Sequence, residues 1–436
     1  MKRIKITAAL VLCVASLTSL SACKRTSPLP RPIMGIDTIV SVKDFEEPEH
    51  GQRDAAVTAA KGANDFAFRL SAALLKSVGD ENFVCSPYSA WLPLAALVNA
   101  TDEAHKPALL SALGASGITA EDMNLASSRM LYDLTKQQSR DYDNYYNPLK
   151  IVNAIFVDQN ARLKRDFAQT FADYYRGTAI NVDFKSPDAV AAVNQWASNN
   201  TDGLITDIIQ KFDPDTVAAV ANAVYFYDGW HWEFDARYTK GDTFHAPGGD
   251  TTAMFMVREG DEQPYYEDEN VQAMPLYFKA GGGMLIILPK SGTATELLGS
   301  MTSEYLEKIQ SDRELLTGKL LLPRFKIESG VMNLKDALTA LGVPLFDEDA
   351  APLTGGLVER NTPVWLSAAV QKAFIEVDEK GTTAAAVTIL PAVDGLMPEP
   401  TEPFEMICDK PFAFILFERT SDAGDQILFT GVVNKP

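Results

Sequence analysis

The spacing of apolar residues changes along the chain, and with it the predicted secondary structure. Between residues 55 and 78 the apolar side chains recur at the spacing of one helix face, which predicts a helix. After the polar break GDEN, the tripeptide FVC predicts a short strand. Ser86-Pro87 then opens an apolar helix, because proline is tolerated in the first turn of a helix.

Strand-like and helical segments alternate through the rest of the chain. A helix is predicted around residues 188–198, and two strands near the C-terminus flank a turn over residues 421–425. The other predicted strand segments are KIVNAIFVDQ, TVAAVANAVYFYDGW, MPLYFK, MLIILPK, KLLLPRFKIES and PVWLSAAVQKAFIEVDEKG. The pattern predicts a mixed α/β (α+β) chain without an internal repeat.

Residues 1–22 have the three parts of a secretory signal peptide. Lys2, Arg3 and Lys5 form a basic start, an apolar run extends from Ile6 to about Leu17, and small residues follow. The apolar run is too short to span a membrane as a stable helix. We therefore expect an exported protein from which residues 1–22 are removed.

Cys23 follows a motif that resembles the bacterial lipobox, Leu20-Ser21-Ala22-Cys23. In that motif the cysteine is diacylated, and two acyl chains give stable anchoring. Residues 23–54 are then expected to form the lipidated N-terminus and a flexible tether, since KRTSPLPRPIMG carries three prolines and no apolar periodicity. The expected location is the bacterial cell envelope, at the outer membrane or cell surface, with the membrane contacted through the lipid alone.

Composition excludes several classes of function. The net charge of −19 repels phosphate backbones, so nucleic-acid partners are not expected. The four histidines are scattered and no HExxH or CxxC motif occurs, so we predict neither metal nor cofactor. Cys85 and Cys408 lie in apolar contexts that predict buried free thiols.

A set of separate motifs resembles the signatures of the serpin family, in the family's order and at compatible spacings. The resemblance extends from about residue 60 to Pro436. The motifs are NFVCSPYSAWLPLAAL, NAVYFYDGWHWEFD, MLIILPK, LPRFKIES, QKAFIEVDEKGTTAAAVTIL, KPFAFILF and ILFTGVVNKP.

The resemblance implies the serpin fold, with three β-sheets, eight to nine helices and an exposed reactive-centre loop. A single domain over residues 55–436 is then expected, with the loop at about 380–403, and the protein is expected to be monomeric. GxSxG, P-loop and Rossmann motifs are missing from the sequence, so we predict no catalytic residues and no enzyme activity.

The segment from Glu379 to Leu390 resembles the hinge of the serpin reactive loop. Gly381 gives the backbone freedom to turn, and the nine residues after it carry no charge. In the family this segment enters the main sheet as a new strand after a protease cuts downstream. Insertion requires alternate small residues to face the core, here Thr382, Ala384, Ala386 and Thr388, followed by Leu390.

Other positions match family motifs one by one. Ser86, Ser89 and Asn222 match the polar cluster beneath the sheet called the shutter, and Trp230 matches the tryptophan of the breach, where insertion begins. Gln371 stands where the family usually has histidine. A glutamine amide donates and accepts as a neutral imidazole does, so we expect the shutter to persist without pH sensitivity.

The family's usual count from Glu379 places the reactive bond between Gly395 and Leu396, although bonds after Val393, Asp394, Leu396 or Met397 remain open. No Lys or Arg occurs between Lys380 and Lys410, so trypsin-like proteases are not expected as main targets. Small and medium apolar residues favour elastase-like, subtilisin-like or papain-like enzymes, and cleavage after Asp394 would indicate an aspartate-specific protease.

These features predict a serine-type endopeptidase inhibitor, with cysteine endopeptidases as further possible targets. It would act as a suicide substrate that traps the acylated protease by loop insertion. The alternative is a non-inhibitory serpin-fold binding or chaperone protein. Such relatives tend to carry charged or bulky residues where this chain has Gly381, Thr382 and the alanines.

Overall fold

The protein is described from a computed structural model. The structure describes residues 6–14, 37–40, 53–136, 139–141, 144–146, 149–200, 203, 207–212, 216–359, 363–382, 403–420 and 424–436. Within these ranges the chain forms nine α-helices and 22 strands, with a short 3₁₀ turn at Pro344–Phe346.

The helices begin where the sequence supplies a suitable first turn. Pro87 opens α2 as predicted, and Thr119 with Asp122 forms a capping box at the start of α4. The helices are α1 (Arg53–Leu75), α2 (Pro87–Leu97), α3 (Lys106–Ala112), α4 (Ala120–Thr135), α5 (Arg165–Tyr175), α6 (Asp188–Asn200), α7 (Ala294–Ser300), α8 (Ser303–Ser311) and α9 (Lys335–Ala340).

Among the described residues, most of the strands lie in the second half of the chain. They are β1 (Ile6–Val14), β2 (Asp37–Val40), β3 (Phe83–Cys85), β4 (Ser139–Asp141), β5 (Asn144–Tyr146), β6 (Leu149–Asp158), β7 (Gly177–Val182), β8 (Thr216–Phe226), β9 (Asp228–Gly229), β10 (Lys240–Ala246), β11 (Gly249–Glu267), β12 (Val271–Tyr277), β13 (Gly283–Pro289), β14 (Glu314–Pro323), β15 (Phe325–Glu328), β16 (Met332–Asn333), β17 (Val364–Lys372), β18 (Phe374–Val377), β19 (Gly381–Thr382), β20 (Phe404–Ile407), β21 (Phe412–Thr420) and β22 (Gly424–Val433).

The main sheet has seven strands in the order β16-β17-β1-β8-β6-β7-β2. Alternate residues of β8 enter different clusters: Ala218 and Val220 pack into the large core, whereas Ala219 and Ala221 pack beneath α6. Both faces of the sheet are therefore covered, which explains why the β8 segment is apolar at nearly every position.

The strand β1 lies inside the main sheet, between β8 and β17. It pairs in parallel with both neighbours, so β8 and β17 are separated by the width of one strand. These residues belong to the predicted signal peptide, whose removal stays a prediction.

The second large sheet has nine strands, and the long strand β11 joins its two parts. One part contains β12, β13, β21, β22 and β3, and the other contains β10, β14 and β20. The pairing of β11 with β14 has an irregularity between Glu259 and Glu262, and irregularities of this kind bend a strand. With the main sheet, these two parts make up the three sheets expected of the fold.

The boundary of the folded region differs from the prediction in two details. Helix α1 begins at Arg53, two residues before the expected start of the domain. Within the predicted tether, β2 pairs antiparallel with β7 at the edge of the main sheet. Part of the tether segment therefore contributes to the described fold.

Candidate functional site

The chain reverses direction at one end of the main sheet, between β18 and β19. Asp378 and Gly381 form a bridge across the turn, and the Lys380 N–H donates to the Asp378 carboxylate at 2.8 Å. Gly381 has a φ of 147°, and a Cβ added there would lie 2.2 Å from the Asp228 carbonyl oxygen. Glycine is therefore required at this turn for both backbone conformation and space.

Gly381 and Thr382 of the predicted hinge are already paired in a sheet. Gly381 pairs with Gly229 and Thr382 with Asp228, both antiparallel. Thr382 is buried, and its hydroxyl lies 3.3 Å from the Asp228 carbonyl oxygen. Because β9 follows β8 directly in the chain, this pairing starts a strand beside the end of β8.

Trp230 fixes the end of β9 against the turn. Its indole N–H donates to the Asp378 carbonyl at 2.9 Å, and its backbone N–H donates to the Lys380 carbonyl at 2.7 Å. The indole is fully buried and stacks on Phe278 with ring centroids 4.7 Å apart. The breach residue predicted from the sequence therefore lies directly against the hinge.

Glu379 binds the turn to Arg324, between β14 and β15, and to Thr239, just before β10. Its carboxylate accepts from the Arg324 guanidinium at 2.5 and 2.9 Å and from the Thr239 hydroxyl at 2.5 Å. Burial opposes ionisation of Glu379, but the hydrogen bonds from Arg324 and Thr239 outweigh it and hold its pKa below the usual value. Arg324 and Thr239 were not identified from the sequence.

A second carboxyl group, Glu418 on β21, is buried close to this site. One of its oxygens accepts from the Arg419 N–H at 3.2 Å, and the other has no hydrogen-bond partner among the described residues. Burial, together with the nearby charges of Asp228 and Asp425, raises the pKa of Glu418 to about 8. In the sequence, the available sign of a buried carboxyl group was that Glu418 follows directly on the apolar run FAFILF.

The side chain of Gln371 on β17 forms hydrogen bonds with the start of helix α2. Its side-chain oxygen accepts from the Ser86 N–H at 2.9 Å, and its amide nitrogen donates to the Ser86 carbonyl at 2.8 Å. The Ser86 hydroxyl donates to the Leu428 carbonyl at 2.8 Å. Gln371 thus uses both ends of its amide, as expected for a substitute of neutral imidazole.

The other two predicted shutter residues form a separate chain of hydrogen bonds. The Ser89 hydroxyl donates to the Asn222 side-chain oxygen, and the Asn222 amide donates to Asn153 at 2.6 Å. Asn153 in turn donates to the Tyr175 carbonyl at 2.7 Å. The structure therefore places the four predicted shutter residues where α2 meets the main sheet, in two hydrogen-bonded groups, and Asn153 is a member that the sequence did not reveal.

Several predicted positions lie outside the described residues. They are Cys23, the hinge residues Ala384, Ala386 and Thr388, and the reactive-bond residues Gly395 and Leu396. Their predicted roles stay predictions.

The remaining sequence predictions concern thiols, metals and membrane spans. Cys85 and Cys408 are free and buried, which confirms that prediction, and burial raises the pKa of Cys85 to about 11. Among the described residues, no group of three potential metal ligands comes together. No helix in the described part of the chain has both the length and the apolar character needed to cross a membrane.

Comparison with known proteins places these features in a family. Residues 61–436 match the family model for serpins, described as serine protease inhibitors. An uncharacterized serpin-like protein of Thermococcus kodakarensis is 32% identical over 293 residues, which cover 66% of each protein. Alpha-1-antiproteinase S of Cavia porcellus is 27% identical over 376 residues, covering 85% of this chain and 89% of the relative.

Comparison with solved structures supports the same family. The crystal structure of tengpin, a thermophilic serpin in its native state, matches with a TM-score of 0.77 and 25% identity over 92% of this chain and all of that one. The chain therefore belongs to the serpin family and has the serpin fold. Members of this family are mostly protease inhibitors and not enzymes.

Proposed function

We propose that this serpin inhibits endopeptidases as a suicide substrate. The observation that carries the proposal is the pairing of Gly381 and Thr382 with β9, because it starts a strand at the end of the main sheet. Continued pairing in the same direction would carry the following small, uncharged residues alongside β8. A covalently attached protease would then be dragged along and its active site distorted.

The separation of β8 and β17 by one strand supports this movement. Strands β8 and β17 each pair with β1, so one strand already fits between them. In a chain that has lost its leader, we expect the same gap to receive the reactive loop. The loop would run antiparallel to β8, opposite to β1, because β19 runs antiparallel to β9.

Insertion has a sufficient driving force. A strand of about a dozen residues adds backbone hydrogen bonds at ~1 kcal/mol net each, which gives on the order of ten kcal/mol. That is comparable with the whole stability of a domain. The target protease supplies the nucleophile, so the inhibitor needs no catalytic residue.

The proposed targets are elastase-like, subtilisin-like or papain-like proteases, since the loop offers no cation for a trypsin-like pocket. Incubation of the purified protein with this panel and with trypsin should give SDS-stable complexes with one or more of the first three classes only. A protein that is neither cut nor trapped by any of them would favour the binding or chaperone alternative.

Two neighbouring substitutions test the insertion step. Ala384→Arg should place an unpaired charge in the core and turn the inhibitor into a substrate that is cut and released. Ala385→Arg is the matched control, because its side chain should face away from the core in an inserted strand, and trapping should persist. Equal trapping by the two variants would contradict insertion with this register.

We also propose that the protein is exported and anchored by diacylated Cys23. Cys23→Ala should shift the protein out of the membrane fraction of a bacterial host and abolish labelling by a fatty-acid analogue. Cys13→Ala, which changes the other leader cysteine, should leave both unchanged. Retention of Cys23→Ala in the membrane to the wild-type extent would contradict lipid anchoring.

A further inference from the structure

The strand β1, which belongs to the predicted leader, occupies a particular stretch of β8. It begins opposite Thr216, where Thr7 pairs, and it ends opposite Val224, where Val14 pairs. On its other side β1 pairs with β17 from the first residue of that strand to the last. The gap between β8 and β17 is therefore filled along nearly all of both strands.

An inserting reactive loop would need the same stretch of β8. Thr382 pairs antiparallel with Asp228, just beyond the end of β8. Each further residue of the loop would therefore pair one position earlier in β8. In that register Ala386 would reach Val224, and loop residues 386–394 would need the positions that β1 holds.

The leader strand would stop insertion soon after it begins. Because Val14 lies opposite Val224, the loop has room for residues 383–385 before it meets the end of β1. A protease acylated near Gly395 would then be carried over only a small part of the sheet, and its active site would keep its shape. Water would hydrolyse the acyl bond, which releases the active protease and a cut loop.

The sequence of β1 suits a central place in the main sheet. The segment ITAALVLCV carries no charge, and strands of a sheet covered on both faces are apolar at nearly every position. Pairing on both sides gives its backbone N–H and C=O groups partners. The register places Leu12 between Asn222 and Gln371, so β1 separates the two strands that carry shutter residues.

We propose that the uncleaved leader is an internal block to loop insertion. The precursor is cut by a target protease without trapping it, and removal of residues 1–22 frees the gap and makes the chain an inhibitor. This inference rests on the suicide-substrate function and the leader removal proposed above. Its consequence is that trapping is confined to protein that has been exported and processed.

The test uses the full chain, made by translation without membranes so that the leader is retained, which mass spectrometry checks. In one variant, Leu10→Pro and Val11→Pro break β1, because proline cannot donate to a neighbouring strand and successive residues direct their N–H groups to opposite neighbours. The matched control carries Leu17→Pro and Thr18→Pro, beyond the end of β1. Processed protein purified from a bacterial host is the reference.

Each protein is incubated with the proposed target proteases, and SDS-stable complexes are counted per cut chain. The full chain and the control should give at least about tenfold fewer complexes than the Leu10→Pro, Val11→Pro variant, because a strand bonded on both sides holds the gap. That variant should approach the processed protein. Before cleavage it should melt roughly 10 °C below the full chain, since it loses the hydrogen bonds of a central strand.

The outcomes separate this inference from the proposed function. Equal trapping by the full chain and the processed protein would overturn the block and leave the function intact. Trapping by the processed protein without a gain in the Leu10→Pro, Val11→Pro variant would also overturn it, because β1 would not be the obstacle. Failure of the processed protein itself to trap any of the proteases would contradict the suicide-substrate function, and the inference would fall with it.

Discussion

Gly381 has room for a hydrogen atom but not for a methyl group. The hinge turn brings its Cα against the backbone of Asp228 and Gly229, and its φ of 147° suits glycine alone. Glycine at position 381 therefore allows the turn to pair with β9.

Gly381→Ala should destabilise the protein through both strain and collision. We expect a loss of about 2 kcal/mol in the free energy of unfolding, measured with urea. Gly79→Ala is the control, because Gly79 has a φ of 62° with open space around it and should lose only about 1 kcal/mol. Equal losses in the two variants would mean that the close contact with Asp228 carries no cost.

Glu418 makes the stability of the protein depend on pH. Its carboxyl ionises near pH 4.5 when unfolded and near pH 8 when folded, because burial disfavours the charge. Between these values the unfolded chain releases a proton that the folded chain keeps, so stability falls as the pH rises and the loss is complete above pH 8.

Glu418→Gln removes this titration while keeping the shape of the side chain. The variant should match the wild type near pH 4 and exceed it by roughly 5 kcal/mol at pH 8 to 9. Urea unfolding across this range measures the difference, and exposed Glu405→Gln serves as the control. A difference between Glu418→Gln and wild type that does not change with pH would contradict the buried, protonated carboxyl.

At the scale of elements, one side chain links β17 to α2. The Gln371 amide satisfies both the N–H and the carbonyl of Ser86 where the helix begins. A sheet that opens beside β17 must keep or exchange these bonds. Because an amide does not titrate, the link is insensitive to pH.

Gln371→His should introduce a pH dependence at this link. A neutral imidazole can replace both bonds, but protonation turns its acceptor into a donor that faces the Ser86 N–H. The variant should lose about 1 to 2 kcal/mol relative to wild type as the pH falls below roughly 6.5. Thermal melts at pH 5 and pH 8 measure this, and a constant difference between variant and wild type would contradict it.

At the scale of the whole molecule, three sheets share one large core, so a strand added to the main sheet affects the stability of the entire domain. The breach joins strands of different sheets: β9 pairs with the hinge, Trp230 bridges to Phe278, and Arg324 binds Glu379. Cutting the loop would release a strand end at this junction.

Cleavage by an elastase-like enzyme should fall between Val393 and Met397, with Gly395-Leu396 as the main site. The cut chain should then melt roughly 20 °C or more above the intact protein, because an inserted strand adds on the order of ten kcal/mol. Pro391 should cost one hydrogen bond without preventing insertion. Mass spectrometry of the released peptide locates the cut, and calorimetry before and after cleavage measures the gain.

A cut in this window without a gain in melting temperature would indicate an ordinary exposed loop. The binding-protein alternative would then be favoured. A cut outside the window with a large gain would support insertion and correct only the position of the reactive bond.

The sequence by itself determined the elements and the family. Apolar spacing predicted α1, β6, α6, β8 and the C-terminal hairpin within a few residues, because each buries a face with a fixed period. Motifs such as LPRFKIES and QKAFIEVDEKG led to the serpin fold and to Trp230, Gly381 and Gln371, since their order along the chain carries the information.

The tertiary structure decided which distant residues meet. Arg324 and Thr239 reach Glu379 from 55 and 140 positions away, and Asn153 joins Ser89 only through Asn222. The burial of Glu418 and the position of β1 in the main sheet likewise depend on how strands pack against one another. Local periodicity carries no such information, because contacts between elements follow from three-dimensional packing and not from spacing along the chain.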